Sequence, residues 1–270
     1  MPLYVVATPI GNLGDITARA REVLAACDAV VAEDTRHSGN LLRYLALKKP
    51  LLSLPAFDEA ARVEPLLRRL SAGERLALVT DAGTPAISDP GGLLVRRAVA
   101  QGIEVVPVPG ASAAVAAVCV SGFAQGRFHF GGFLPRKASE RARMLEELRP
   151  LRAQLVFYES PQRLAQTLAD LRSALGDRPA LVARELTKLH EELARGALSA
   201  LEQRFAGQVR GEVVIVVSGA PEEAPADPAD LESEIRSRLS RGEHPGDIAS
   251  ALAGNRSRRA IYQLALKLKG

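Results

Sequence analysis

Leu76-Ala77-Leu78-Val79-Thr80-Asp81-Ala82-Gly83-Thr84-Pro85-Ala86-Ile87-Ser88-Asp89-Pro90-Gly91 is the stretch on which the fold turns. Residues 76–80 form an apolar run of strand length, which gives way to a loop rich in glycine, proline and acid. From 93 to 101 apolar residues recur three and four apart, the spacing of a helix. Strand, loop and helix make half of a βαβ unit, and the pattern repeats on both sides. Runs at 3–7, 29–32, 104–108, 155–158, 180–183 and 213–217 predict further strands, and 16–27, 63–70, 113–120, 140–148 and 164–175 predict helices. This alternation predicts an α/β fold with a largely parallel sheet. Asp15 and Ser139 stand where helix N-caps are expected.

A chain of 270 residues has room for two domains and a small appendage. The Gly- and Phe-rich segment 121–136 interrupts the alternation, which puts a first domain at 1–120 and a second at 121–220. Three prolines with acidic neighbours make 221–230 an expected linker. Residues 231–270 then read as a small helical, helix-turn-helix-like domain, with helices at 231–239, 247–252 and 258–268 and a turn at Ala253-Gly254-Asn255. Arg256, Arg258 and Arg259 crowd the start of its last helix, where cations oppose the helix dipole. Two readings stand: a solvated basic face, or a surface whose cost is repaid by phosphate.

Composition removes several classes of protein. With 47% hydrophobic and 24% charged residues the chain is an ordinary globular protein. Its 35 Lys and Arg against 31 Asp and Glu leave +4, so any nucleic-acid site must come from local clustering. An aromatic content of 4% without tryptophan argues against a groove built on base stacking. Cys27 and Cys119 are expected to be buried, reduced thiols. No export signal is read at the start, and the apolar stretch 111–124 is too short to span a bilayer, so a cytoplasmic protein without a membrane partner is expected.

Several chemistries lack their residues. No lysine follows a glycine, so there is no Walker loop. His190-Glu191-Glu192 fails as a zinc helix at Ala194, and no other metal-ligand spacing is present. What remains is a set of loops after the expected strands, where open α/β sheets bind ligands. Thr8 to Asp15 is either a ligand loop or a tight connecting turn. Glu33-Asp34-Thr35-Arg36-His37 is either an acid–base cluster or a helix start. Asp81 to Gly91 pairs glycine, which lets backbone approach a ligand, with acids suited to a cation or a ribose hydroxyl. Pro109 to Ser112 and Glu159-Ser160-Pro161 complete the set.

Taken in order, these motifs resemble the tetrapyrrole methylase superfamily of S-adenosylmethionine-dependent methyltransferases. They are Ala7 to Asp15, Ala32 to Arg36, Ser53-Leu54-Pro55, Asp81 to Pro85, Ser88 to Gly91, Pro107 to Ser112, Phe157 to Pro161 and Arg184-Glu185-Leu186-Thr187-Lys188. The resemblance is nearest to the branch that methylates small-subunit ribosomal RNA. It implies a two-domain fold with a cofactor cleft between the domains, usually in a homodimer, and transfer to a cytidine ribose 2′-hydroxyl of 16S rRNA. The cofactor residues it implies are Pro9, Asp81, Gly83, Thr84, Ile87, Ser112, Ala113, Tyr158 and Leu186, with no metal. The superfamily's usual Gly-Asp-Pro is here Gly83-Thr84-Pro85. Glu33, Asp34, His37, Glu159 and Lys188 are the candidates for assisting a weak hydroxyl nucleophile. Arg36, Arg136, Lys137, Arg141 and Arg143 join Arg256, Arg258 and Arg259 as candidates for RNA phosphates. The rival readings are a precorrin or uroporphyrinogen methyltransferase and a non-catalytic ribosome-assembly protein.

Overall fold

The computed structural model describes residues 1–124, 126–221, 228–252 and 257–269. Its first half contains β1 (Leu3–Val6), α1 (Ala18–Ala26), β2 (Ala29–Ala32), α2 (Thr35–Tyr44), β3 (Leu51–Ser53), α3 (Glu59–Ser71), β4 (Leu76–Val79), α4 (Gly92–Ala100), β5 (Val105–Val108) and α5 (Ala113–Cys119). The five strands form one sheet in the order β3-β2-β4-β1-β5, and every pairing is parallel. A parallel sheet covered on both faces needs continuous apolar strands. β2 and β4 are accordingly buried at every residue. Ala29, Val31, Leu76 and Leu78 pack under α3 and α4, while Val30, Ala32, Ala77 and Val79 pack under α1 and α2.

The strand order places the site. The chain leaves β2 in one direction, toward β3, and leaves the adjacent β4 in the other, toward β5. The loops after adjacent strands therefore diverge and open a crevice at the carboxyl end of the sheet. Thr8 and Gly83 close its floor by exchanging backbone hydrogen bonds of 2.9 and 3.1 Å.

The second half contains β6 (Phe128–Phe133), α6 (Ala138–Leu148), β7 (Gln154–Glu159), α7 (Leu164–Leu175), β8 (Pro179–Arg184), β9 (Glu192–Ala197), α8 (Leu198–Arg204) and β10 (Val213–Val217). Its sheet runs β6-β7-β10-β8-β9, and only β6 and β7 are parallel. The expectation of largely parallel strands thus holds for the first sheet and fails for the second. β6 and β9 carry no strand signal in sequence because Gly131-Gly132 and the charges of Glu192 and Arg195 mask them. Both are edge strands, where charge and irregularity are tolerated.

One face of this sheet packs on α6, α7 and α8. The other packs on α5 and Ile10 of the first half, through Ala114 and Ala117 against Val156, Leu181, Val214 and Val216. Residues Met1–Ala220 consequently form one compact unit, with Pro221–Gly270 as a second. That second unit has three helices, α9 (Pro228–Ser240), α10 (Pro245–Leu252) and α11 (Arg258–Lys269), around Ile235, Ile248, Ala249, Ile261 and Ala265. The turn expected at 253–255 lies outside the described residues.

Three local expectations are corrected. Thr17, not Asp15, caps α1, accepting from the Ala20 amide at 3.1 Å. Ser139 lies inside α6, whose N-cap is Lys137. Cys27 is buried, but Cys119 is exposed at the end of α5. No helix among the described residues is long and apolar enough to cross a membrane.

Ala117 is fully buried between α5 and the second sheet. Ala117→Leu should overpack that contact and lower the unfolding free energy by about 1–3 kcal/mol, read as a shift in the urea midpoint.

Candidate functional site

Four loops of the first sheet and four segments of the second converge on the crevice. Thr8 donates its hydroxyl to the Thr80 carbonyl at 3.0 Å, holding the first and third loops together. Thr84 Oγ1 donates to the Ala111 carbonyl at 3.2 Å, tying the third loop to the fourth. Glu59 accepts from the amides of Gly91 and Leu93 at 3.0 and 2.9 Å, fixing the far end of the third loop and the start of α4 onto α3. From the second sheet, Tyr158 accepts the Ala114 amide at 3.3 Å and meets Phe130 and Phe133 edge-on, at 4.9 and 5.8 Å between ring centres. Burial pushes its phenol pKa up.

Two adjoining cavities result. The larger, ≈ 470 Å³, has apolar walls from Ile10, Ile87, Ala113, Phe133, Val213 and Val214, with Glu33, Asp81 and Asp89 set among them. The smaller, ≈ 410 Å³, carries Thr8, His37, Ser38, Asn40 and Lys188. Lys188 reaches in from the loop after β8, with its ammonium 2.8 Å from Glu185 and 3.0 Å from Glu212. Its aliphatic stem lies against Gly11, where a Cβ would come within 2.4 Å of Lys188 Cγ. Any side chain at residue 11 would displace the lysine. Glu185 and Thr187 adopt left-handed backbone at φ 51° and 65° on the same loop, a strain of about 1–3 kcal/mol each that the packing must offset.

Of the expected cofactor residues, Asp81, Gly83, Thr84, Ile87, Ser112, Ala113 and Tyr158 line the larger cavity. Pro9 lines the smaller, and Leu186 is buried beside Ile10 without lining either. Of the candidate acid–base residues, Glu33 and Glu159 border the larger cavity and His37 and Lys188 the smaller. Two are corrected. Asp34 caps α2, accepting from the Arg36 amide at 2.8 Å, and the Arg36 guanidinium holds its carboxyl down at about 2, too acidic for a useful base. Glu159 is buried and engaged, with Oε1 taken by the Ser160 amide at 2.8 Å and Oε2 by Thr167 at 2.6 Å.

Arg36 is exposed, as are Arg136, Lys137 and Arg143. Arg141 is not free for phosphate: it is buried, 2.5 Å from Asp170, and donates to the carbonyls of Pro135 and Arg136. In the second unit Arg258 and Arg259 are exposed on α11, and Arg256 lies outside the described residues. Sequence reasoning missed Phe133, Gly211, Glu212, Val213 and Val214, which the second sheet delivers without a local motif. Asp89, one of the loop acids that the sequence offers for a cation or a ribose hydroxyl, lines the larger cavity.

Glu33 and Asp89 both sit above their ordinary carboxyl values of 4.5 and 3.8, chiefly through burial, with the charge of Asp81 adding to each. Ionised, they are destabilised and unmatched, which suits a positively charged ligand. S-adenosylmethionine fits these residues by donor set: carboxylates for its cationic centres and ribose, and apolar walls for its base. Gly83, at φ 81°, forms a close cradle, since a Cβ there would lie 3.4 Å from Ile10 Cγ2. Among the described residues no group of three or more His, Cys, Asp or Glu is arranged to hold a metal.

The fold and cleft find their counterparts among methyltransferases. Residues 2–202 match the family of tetrapyrrole (corrin/porphyrin) methylases, and the chain belongs to that family. It is 44% identical to the ribosomal RNA small subunit methyltransferase I of Synechocystis sp. over 99% of this chain and 98% of that protein. It is 49% identical to the protein of the same name in Xylella fastidiosa, over 82% of each. Among solved structures, the methyltransferase CobJ superposes with a TM-score of 0.63 at 20% identity, covering 83% of this chain and 97% of that one. Uroporphyrin-III C-methyl transferase from Thermus thermophilus, complexed with S-adenyl homocysteine, gives 0.59 at 18%, covering 81% and 97%.

Two outcomes follow. Arg141→Ala should destabilise the fold by about 2 kcal/mol or more, because Asp170 is left half-buried without its partner, and should leave RNA affinity unchanged in a filter-binding assay. Because Glu33 and Asp89 keep their protons above the ordinary range, protonation on acidification removes the negative charge facing a cation. Calorimetric affinity for S-adenosylmethionine should therefore fall as pH drops, beginning above 4.5, and Glu33→Gln should flatten that dependence.

Proposed function

We propose that this protein transfers a methyl group from S-adenosylmethionine to the ribose 2′-hydroxyl of a cytidine in the 16S rRNA of the small ribosomal subunit. The observation that carries the reading is the pair of adjoining cavities, one apolar with carboxylates and the other lined with hydroxyl, amide and imidazole groups. A donor site beside an acceptor site is what an in-line group transfer requires. The ribosomal RNA substrate comes from the names of relatives that are 41–49% identical.

When bound, S-adenosylmethionine supplies a methyl group on a positively charged sulfur that is a good leaving group. Gly83, Thr84, Ile87, Ser112, Ala113 and Tyr158 are the residues that hold it, with Leu186 supporting Ile10 behind the wall. Glu33 and Asp89 favour the cation over the uncharged thioether left after transfer, so the same charges that attract the donor release the product. His37 and Lys188 shape the acceptor side.

RNA phosphates meet Arg36, Arg136 and Lys137 in the first unit and Arg258 and Arg259 in the second. The reading includes cytoplasmic action and a homodimer. Phe57 and Leu189, each 92% exposed, are apolar side chains that a partner copy would cover.

The test is transfer of labelled methyl from S-adenosylmethionine to purified small subunits lacking their own modifications, followed by nucleoside analysis. The expected product is 2′-O-methylcytidine. Label on a tetrapyrrole carbon, with none on RNA, would overturn the assignment.

A further inference from the structure

The two cavities share four lining residues: Ile10, Asp81, Ala82 and Glu212. A methyl group passing from donor to acceptor crosses at that boundary. The atom that takes the acceptor's proton must stand there too, within hydrogen-bond reach of the reacting hydroxyl. Two ionisable side chains, Asp81 and Glu212, meet the condition among the described residues. Glu212 is engaged by Lys188 at 3.0 Å, and its side chain is 71% exposed. Asp81 differs, because its Oδ1 is buried and meets no hydrogen-bond donor among the described residues. Left untied, the carboxylate is free to turn an oxygen toward the boundary that both cavities line. On the acceptor side, Ser38 Oγ is likewise buried without a partner.

Building on the methyl transfer just described, we propose that Asp81 is the general base of the reaction, its carboxylate accepting the proton of a ribose hydroxyl held in the smaller cavity. The hydroxyl O–H bond breaks and its proton passes to Asp81. A lone pair of that oxygen forms the bond to the methyl carbon. The carbon–sulfur bond breaks with its electron pair on sulfur, which becomes a neutral thioether. No metal or further co-reactant enters the balance. The other candidates are less well placed. Glu33 borders only the donor cavity, His37 borders only the acceptor cavity, Lys188 is paired with Glu185 and Glu212, and Asp34 and Glu159 are held by other partners. The charged and titratable groups around Asp81 are Glu33, Asp89, Tyr158, Glu159 and Glu212 on the donor side, and His37, Lys188 and again Glu212 on the acceptor side.

The test compares wild type with Asp81→Asn, which keeps shape and removes the charge. Single-turnover methylation of small subunits is followed against pH, and S-adenosylmethionine affinity is measured separately by calorimetry. The expected result, at saturating S-adenosylmethionine, is a rate lowered about 10²–10⁴-fold, far more than any change in cofactor affinity, with the acid limb of the saturated wild-type profile abolished. A variant rate close to wild type overturns the assignment. So does a parallel loss of cofactor affinity, which would make Asp81 a cofactor contact. Should Asp81→Asn not fold, Asp81→Ser decides at saturating S-adenosylmethionine: a comparable loss of rate supports the assignment, and a rate close to wild type overturns it. Failure of the wild type itself to methylate RNA would remove the underlying reaction, whereas equal transfer by both proteins removes only the role of Asp81.

Discussion

The apolar contact between α5 and the second sheet holds the whole site in register. Ala114 and Ala117 are small enough to bring the helix close to β7 and β10, and Ile10 extends the same surface from the first loop. Each cavity wall belongs to one sheet or the other, so the width of the cleft is set by this one interface. Tyr158 adds direction to it. Its oxygen takes the first free amide of α5 while its ring packs on Phe130 and Phe133. Non-directional burial sets the distance, and one hydrogen bond sets the angle.

Much of the first sheet was legible because its strands are apolar on both faces and its loops carry glycine, proline and acid in sequence order. The second sheet was less so. An antiparallel pairing such as β7 with β10 joins residues more than fifty positions apart, and no local pattern announces it. β6 and β9 hide behind Gly131-Gly132 and a charged edge. α2 was overlooked because its first turns are polar, although Asp34 was correctly suspected as a helix-start residue. The same asymmetry governs the site. Loops of the first sheet could be named from sequence, whereas Glu212, Val213 and Val214 arrive only through strand pairing. Arg141 misled because a sequence displays its charge and conceals Asp170, which neutralises it.

The loop Asp81 to Gly91 answers the question raised by its departure from the superfamily's Gly-Asp-Pro. Thr84, standing where that aspartate is usual, makes an uncharged tie to the Ala111 carbonyl. The loop's negative charge sits instead at Asp81 and Asp89, on either side of it, and both face the larger cavity. Burial keeps Glu33 and Asp89 from ionising easily, so the field in the cleft is matched to a cation rather than to water.

The placement of α5 also sets an order of events on the ribosome. The first sheet is complete once β5 has been made, and its two faces are covered by helices encoded within the same stretch. α5 emerges next, but its apolar face has nothing to rest on until β7, β8 and finally β10 have been synthesised, roughly a hundred residues later. During that interval the nascent chain carries a finished sheet and an uncovered helix. The cleft comes into being only when Val213–Val217 joins the centre of the second sheet.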